Sequence, residues 1–203
     1  MSNFKFLSHD EDIEKILQQI LDNEQDWGYV SKLKNIGGDL DPYGFMPMTM
    51  AQLTSYSEDP KNAEGLQRTA LYIKYKYIKQ WLKSWSIRKT ARAAFFRLQP
   101  GRSVGWHTDH GTYYKGKDRY HLCLQGAYKY WVGDNPLLVS GDMPQHPQTE
   151  EDKQALLDTA EMHIIEPGTF FWFDNKKYHR ALSIGNVDRI SFVFDVPKSK
   201  DNP

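Results

Sequence analysis

The strongest constraint on this chain is a change of texture after Lys89. Beyond it, short runs rich in β-branched and aromatic residues are separated by glycine and proline turns: Ala91 to Gln99, Val104 to Thr108, Tyr120 to Leu124, Tyr128 to Val132, Met162 to Ile165, Thr169 to Phe173 and Arg189 to Val196. Many short strands in close succession specify a sandwich or a barrel. A polar insertion from Gly133 to Glu161 carries Pro136, Pro144 and Pro147; its later part, Thr149 to Thr159, is expected to form a short helix.

Upstream the periodicity is helical. Ser8 and Glu11 have capping-box spacing, and Ile13, Ile16, Leu17, Ile20 and Leu21 follow at helical intervals, which predicts an amphipathic helix from about Ser8 to Asn23. Trp27 to Tyr56 is broken by Gly37, Gly38, Pro42, Gly44 and Pro47 and reads as loops and short strands. Asn62 to Trp85 predicts a second helix, with Leu71, Tyr75, Ile78, Leu82 and Trp85 on one stripe and Lys76, Lys79 and Lys83 largely off it. The chain thus divides into an N-terminal helical and loop region, 1–89, packing on a β core, 90–203, with the insertion at 133–161.

At 203 residues the chain suits one domain. The 26 basic and 26 acidic residues cancel, so nothing global draws it to nucleic acid or to an anionic membrane. Lysines interleaved with aromatics in the second helix read as a solvated face over a packed stripe. Cys123 is the only cysteine, which excludes an intramolecular disulfide, and no N-terminal apolar run resembles a signal peptide; a cytoplasmic location is expected. No feature specifies an oligomeric state.

The chemistry begins at His107 and Asp109. Residues one apart on an extended segment point to the same side, so an imidazole nitrogen and a carboxylate oxygen can take adjacent positions on one cation. His179, between the apolar runs FFWF and RISFVFDV, supplies a third ligand. Two histidines and one carboxylate form the facial triad associated with non-haem Fe(II) oxygenases.

Such a site needs electrons from outside the protein. A small 2-oxo acid chelates Fe(II) through its keto and carboxylate oxygens, and its distal carboxylate then needs a buried cation. Arg189, on an otherwise apolar strand, has the planar, permanently charged fork suited to that task, and Ser191 two residues on can add a hydroxyl donor. The competing reading of Arg189 is an ion pair with Asp188, Asp174 or Asp195. That of the histidines is a core or surface position. His110 is read as a neighbour of the triad or an exposed residue.

The blocks PGRSVGWHTD, RYHLCL, FDNKKYH and RISFVFDV, spread over Ala91 to Pro197, resemble the aspartyl/asparaginyl β-hydroxylase family of Fe(II)/2-oxoglutarate-dependent oxygenases. The resemblance implies a mainly β fold with N-terminal helices, a double-stranded β-helix or jelly roll of cupin type. It implies metal ligands at His107 and His179 and a distal-carboxylate clamp at Arg189. It also implies that His121 helps bind 2-oxoglutarate and that Arg119 contacts co-substrate or substrate. The best-known animal members have glycine where this chain has Asp109, so it resembles the branch that keeps the full triad and their substrate does not carry over. Related halogenases leave the carboxylate position vacant, so Asp109 argues for hydroxylation.

The expected activity is hydroxylation of an unactivated C–H bond of an amino acid or a peptide or protein side chain, consuming O2 and 2-oxoglutarate and releasing succinate and CO2. Arg97, Arg102, Arg119 and Arg180 are candidates for a substrate carboxylate. The alternatives are a cupin-type module that binds metal or a small acid without turnover, and a cupin-type isomerase or hydrolase. A nucleic-acid demethylase finds no support in the neutral charge.

Overall fold

The run RISFVFDVP forms a strand, Arg189–Pro197, that is buried along almost its whole length, so both of its faces must be covered. Alternation sends Ile190, Phe192, Phe194 and Val196 to one side and Arg189, Ser191, Val193 and Asp195 to the other. The rest of the molecule covers these two faces in different ways.

A computed structural model describes residues 2–10, 13–29, 48–54, 68–87, 90–109, 112–134 and 149–198. In chain order its elements are β1 (Phe4–His9), α1 (Glu14–Leu21), β2 (Gly28–Tyr29), β3 (Met48–Gln52), α2 (Ala70–Lys74), α3 (Lys76–Ser84), β4 (Ala93–Leu98) and β5 (Ser103–His107). They continue with β6 (Lys117–Gln125), β7 (Tyr128–Gly133), α4 (Glu150–Thr159), β8 (Glu161–Ile165), β9 (Thr169–Phe173), β10 (Tyr178–Ser183) and β11 (Arg189–Pro197). The larger sheet has the order β1-β9-β6-β11-β4-β3-β2 and the smaller β5-β10-β7-β8.

Strands β4 to β11 are divided between the two sheets in the pattern of a double-stranded β-helix, crossing from one to the other at every connection except that between the antiparallel pair β7 and β8. Four of them, β4, β11, β6 and β9, sit side by side, and β5, β10, β7 and β8 face them. The fold is a jelly roll, mainly β with N-terminal helices. Strands β1, β2 and β3 lengthen the larger sheet.

One face of the larger sheet packs Tyr120, Leu122, Phe170, Phe192 and Phe194 against Ile16, Ile20, Ile78, Trp81 and Leu82 of α1 and α3. Its other face, with Cys123, Phe171 and Phe173, meets Tyr128, Tyr130 and Val132 of the smaller sheet. The far side of the smaller sheet places Trp106 and Tyr178 against Leu156 of α4. Between β6 and β7 the chain turns at Gly126, where φ is +70° and a Cβ would stand 2.7 Å from the Asp188 carbonyl oxygen. Only glycine fits there, at the base of β11.

The structure corrects three expectations. Ser8 caps no helix: it lies in β1, paired with Phe170, and α1 starts after Ile13 without a side-chain cap. Glu11 lies outside the described residues. Sheet pairing claims the Ser8 backbone before a helix can.

The second helix is two. It breaks at Tyr75, whose ψ of 74° leaves the helical region. The buried Tyr75 ring packs on Phe95, and its hydroxyl donates to Asp26 Oδ2 at 2.7 Å. Residues 62–67 lie outside the described residues. Trp85, placed on the buried stripe, is 38% exposed, and Trp81 takes the inner position, its Nε1 donating to Asp10 Oδ2 at 2.6 Å.

The third correction is strand β10, Tyr178–Ser183, which is absent from the strands expected from the sequence. The short helix in the insertion is α4, opened by a capping box between Thr149 and Asp152. Residues 135–148 lie outside the described residues. Among the described residues no helix is long and apolar enough to cross a membrane.

Phe192→Ala should lower stability by about 3–5 kcal/mol, since the ring is fully buried between Phe95 and Phe194. Phe6→Ala, at a position 56% exposed, should change it by no more than about 0.5 kcal/mol. Urea unfolding of the two variants compares them directly.

Candidate metal centre

Strands β5 and β10 run antiparallel with His107 directly opposite His179, and the two ring centroids are 4.1 Å apart. His107 Nδ1 lies 2.8 Å from the Gly105 carbonyl and His179 Nδ1 lies 3.0 Å from the Lys177 carbonyl. A carbonyl can only accept, so Nδ1 carries the proton in both rings and Nε2 presents its lone pair. Burial, and then the neighbouring His107, hold His179 well below the ordinary imidazole range. Its neutral, ligating form is therefore favoured.

Asp109 follows β5 by two residues. Its backbone N–H donates to the Asn175 carbonyl at 2.9 Å, fixing the segment after the strand. The carboxylate is buried and takes Arg119 at 2.8 Å and Asn175 Nδ2 at 3.3 Å. His107, Asp109 and His179 each offer a ligand atom within 4.8 Å of the other two. Two neutral nitrogens and one anionic oxygen are a donor set suited to a divalent transition metal such as Fe(II).

The inter-sheet face of β6 and β11 lies beside this group. Register pairs Asp195 with Arg119, Val193 with His121 and Ser191 with Cys123. Arg119, His121, Ser191 and Arg189 therefore share one face.

Arg189 is 4% exposed, its guanidinium lies 4.5 Å from the centre of the Tyr128 ring, and among the described residues it makes no ion pair. The three aspartates that could have neutralised it act elsewhere. Asp195 binds Arg119, Asp188 approaches Arg97 at 4.0 Å, and Asp174 accepts from the Lys176 backbone. Among the described residues Arg189 Nε and one of its terminal nitrogens find no acceptor, and Ser191 Oγ, Tyr128 Oη, Tyr130 Oη and His121 Nδ1 find no hydrogen-bond partner.

Buried polar groups are rarely left unpaired. Here the unpaired set is dominated by donors around a permanent cation, which is the chemistry of an anion-binding cradle. Burial first, then the positive charge of Arg119 and Arg189, keeps His121 neutral.

Arg119, expected against co-substrate or substrate, has its fork directed at Asp109 and Asp195. Burial opposes its charge, and the two carboxylates outweigh that and hold the guanidinium firmly protonated. Arg97 binds Glu24 and lies over Trp27. Arg180 lies over Trp131, its cross-strand partner, on the face of the smaller sheet opposite His179, so it points away from the triad. Arg102 sits in the turn before β5, its carbonyl accepting from the Ser183 N–H. His110 lies outside the described residues.

Sequence reasoning passed over Tyr128, Tyr130 and Asn175. The alternation Tyr128, Tyr130, Val132 was the available signal for the first two, since it puts all three on one strand face. Asn175 stands inside the FDNKKYH block itself.

Neither a protein-family model nor a curated protein matches the chain. Among solved structures it is similar to an oxidoreductase of the 2OG-Fe(II) oxygenase family from Burkholderia pseudomallei, at 12% identity over 95% of this chain and 84% of that one, with a TM-score of 0.57. It also matches ribosomal oxygenase YcfD from Escherichia coli, at 17% identity over 76% of this chain and 33% of that one, with a TM-score of 0.36. A predicted oxalate decarboxylase from Thermotoga maritima matches at 16% identity over 74% of this chain and 81% of that one, with a TM-score of 0.39. The first of these likenesses is one of fold along nearly the whole chain.

The buried histidines set a pH dependence. Their folded values lie below the value of about 6.5 for an unfolded imidazole, so below that pH the unfolded chain binds more protons. The metal-free protein should lose stability as pH falls from about 7 to about 5, by up to about 1.4 kcal/mol per pH unit for each histidine. His121→Phe, placed among Tyr130, Phe171 and Phe173, should flatten part of that slope in urea titrations at several pH values. An unaltered slope would contradict the assignment.

Proposed function

We propose that the chain is an Fe(II)- and 2-oxoglutarate-dependent oxygenase that hydroxylates an unactivated C–H bond. The observation that carries this reading is the adjacency of two incomplete sites: a three-ligand metal group and, on the facing sheet, a buried arginine with unspent donors. A metal site alone would need no Arg189, and an anion site alone would need no triad.

His107 and His179 would hold Fe(II) as neutral donors through Nε2, and Asp109 would contribute the one negative charge. Iron, when bound there, supplies activation of O2, with oxidation of 2-oxoglutarate to succinate and CO2 providing two electrons for insertion of one oxygen atom into the substrate C–H bond. The protein's own part is positional. The Arg189 fork would bind the distal carboxylate, with Ser191 and Tyr128 donating hydroxyl hydrogens and His121 offering a ring nitrogen. Phe171, Phe173, Tyr128 and Tyr130 wall the space between the sheets and keep it dry, which strengthens each of these contacts.

The substrate belongs to the same proposal: an amino acid, free or as a side chain in a peptide or protein, as the likeness of the four sequence blocks implies. A reducing, cytoplasmic setting would suit the iron and the single buried thiol. With Asp109 in place, hydroxylation is favoured over halogenation.

Titrating 2-oxoglutarate into Mn(II)-loaded protein by calorimetry tests the division of labour. Arg189→Met should weaken 2-oxoglutarate on the order of 100-fold, about 2.7 kcal/mol, while changing metal affinity little. His179→Ala should abolish metal uptake. Equal 2-oxoglutarate affinity in Arg189→Met would remove Arg189 from the clamp and favour a cupin-type binding module or isomerase.

A further inference from the structure

On the carboxylate side of the triad, one oxygen of Asp109 is treated differently from the other. Arg119 and Asp195 are direct cross-strand partners on β6 and β11. Arg119 Nε binds Asp195 Oδ1 at 2.8 Å and a terminal nitrogen binds Oδ2 at 3.1 Å, a fork on a carboxylate. The Tyr113 hydroxyl, which lies 3.1 Å from Asp195 Oδ2, braces that carboxylate from behind. The guanidinium plane is thereby fixed, and its remaining terminal nitrogen meets Asp109 Oδ2 at 2.8 Å. Asn175 Nδ2 donates to the same oxygen at 3.3 Å. Both the Arg119 ion pair and the Asn175 hydrogen bond fall on Oδ2.

We infer that Arg119, pinned by Asp195, is the positioning residue that makes Asp109 a one-oxygen metal ligand, holding Oδ2 and leaving Oδ1 for the cation. The inference rests on reading the triad as a metal site. Its physical basis is that Asp109 stands beyond the end of β5, where no strand pairing fixes its side chain. A rigid donor must do so instead. Arginine suits this because its planar fork can engage two carboxylates at once, which a lysine point charge cannot do with the same geometry. Asp195 adds the electrostatic half. Paired with it, Arg119 brings hydrogen-bond donors to the ligand without adding net positive charge beside a divalent ion.

The test is Co(II) binding to metal-free protein, followed by calorimetry and by the visible Co(II) spectrum, so neither 2-oxoglutarate nor activity enters. Arg119→Gln and Asp195→Asn are measured in the wild-type background and in Asp109→Ala. With Asp109 present, each should weaken Co(II) about 10- to 100-fold and alter the spectrum. In Asp109→Ala, where no carboxylate remains to position, each should change affinity less than about twofold.

Equal losses in both backgrounds would make Arg119 and Asp195 structural supports and overturn the inference. Unchanged affinity in the wild-type background would do the same while leaving the metal site intact. Failure of the wild-type protein to take up Co(II) would overturn the metal reading and this inference together. Asp195→Asn keeps a guanidinium opposite Asp109, so it carries the test if Arg119→Gln, which leaves two carboxylates facing one another, does not fold.

Discussion

The structure depends on the antiparallel pairing of β6 with β11. These two strands lie at the centre of the larger sheet and are buried on both faces, yet the faces have opposite chemistry. Toward the helices, Tyr120, Leu122, Phe192 and Phe194 form the main core. Toward the smaller sheet, the same strands present Arg119, His121, Arg189, Ser191 and Asp195. A slip of one residue in either strand would exchange the two sets, burying charge among helices and filling the inter-sheet space with aromatic rings. Fold and site are therefore specified by one register.

Polar groups between two sheets are costly unless paired, and the two arginines on this face, Arg119 and Arg189, solve that problem differently. Arg119 is satisfied internally by two carboxylates, at the expense of tying Asp109 and Asp195 to one another through its guanidinium. Arg189 lies over the face of Tyr128 and, among the described residues, makes no ion pair. A buried guanidinium with unspent donors lowers stability and is tolerable where a ligand completes it. The contrast separates a guanidinium whose charge is met by carboxylates from one whose donors are unspent. It also explains why the walls are aromatic: rings such as Phe171 and Phe173 exclude water without competing for the hydrogen bonds.

Much of this was legible in the sequence, for identifiable reasons. His107 and Asp109 stand out because extended backbone alternates, His179 because it lies between two apolar runs, and Arg189 because it opens an otherwise apolar strand. The jelly roll followed from strand texture together with the four blocks. What could not be read depends on pairing. Nothing local says that Asp195 lies opposite Arg119 rather than beside Arg189, since that is a property of the β6–β11 register. The same holds for Ser8, where a good helix-capping residue is taken by a sheet edge, and for Tyr75, where a bond to Asp26 breaks an otherwise continuous helical stripe. Arg180 shows the converse: one position past a metal-ligand candidate, it is turned to the opposite face by the alternation that makes His179 useful.

The proposed function requires one inter-sheet space to hold both a metal triad and a clamp for the distal carboxylate of a 2-oxo acid, close enough to engage the same molecule. The most direct measurement is spectroscopic: Fe(II)-loaded protein titrated with 2-oxoglutarate without oxygen, watched for the visible charge-transfer absorption of an oxo acid chelated to iron. The account predicts a band that saturates at one equivalent and is not produced by glutarate, which has both carboxylates but no keto group. Iron demonstrably bound, with no band at any concentration of 2-oxoglutarate, would contradict it.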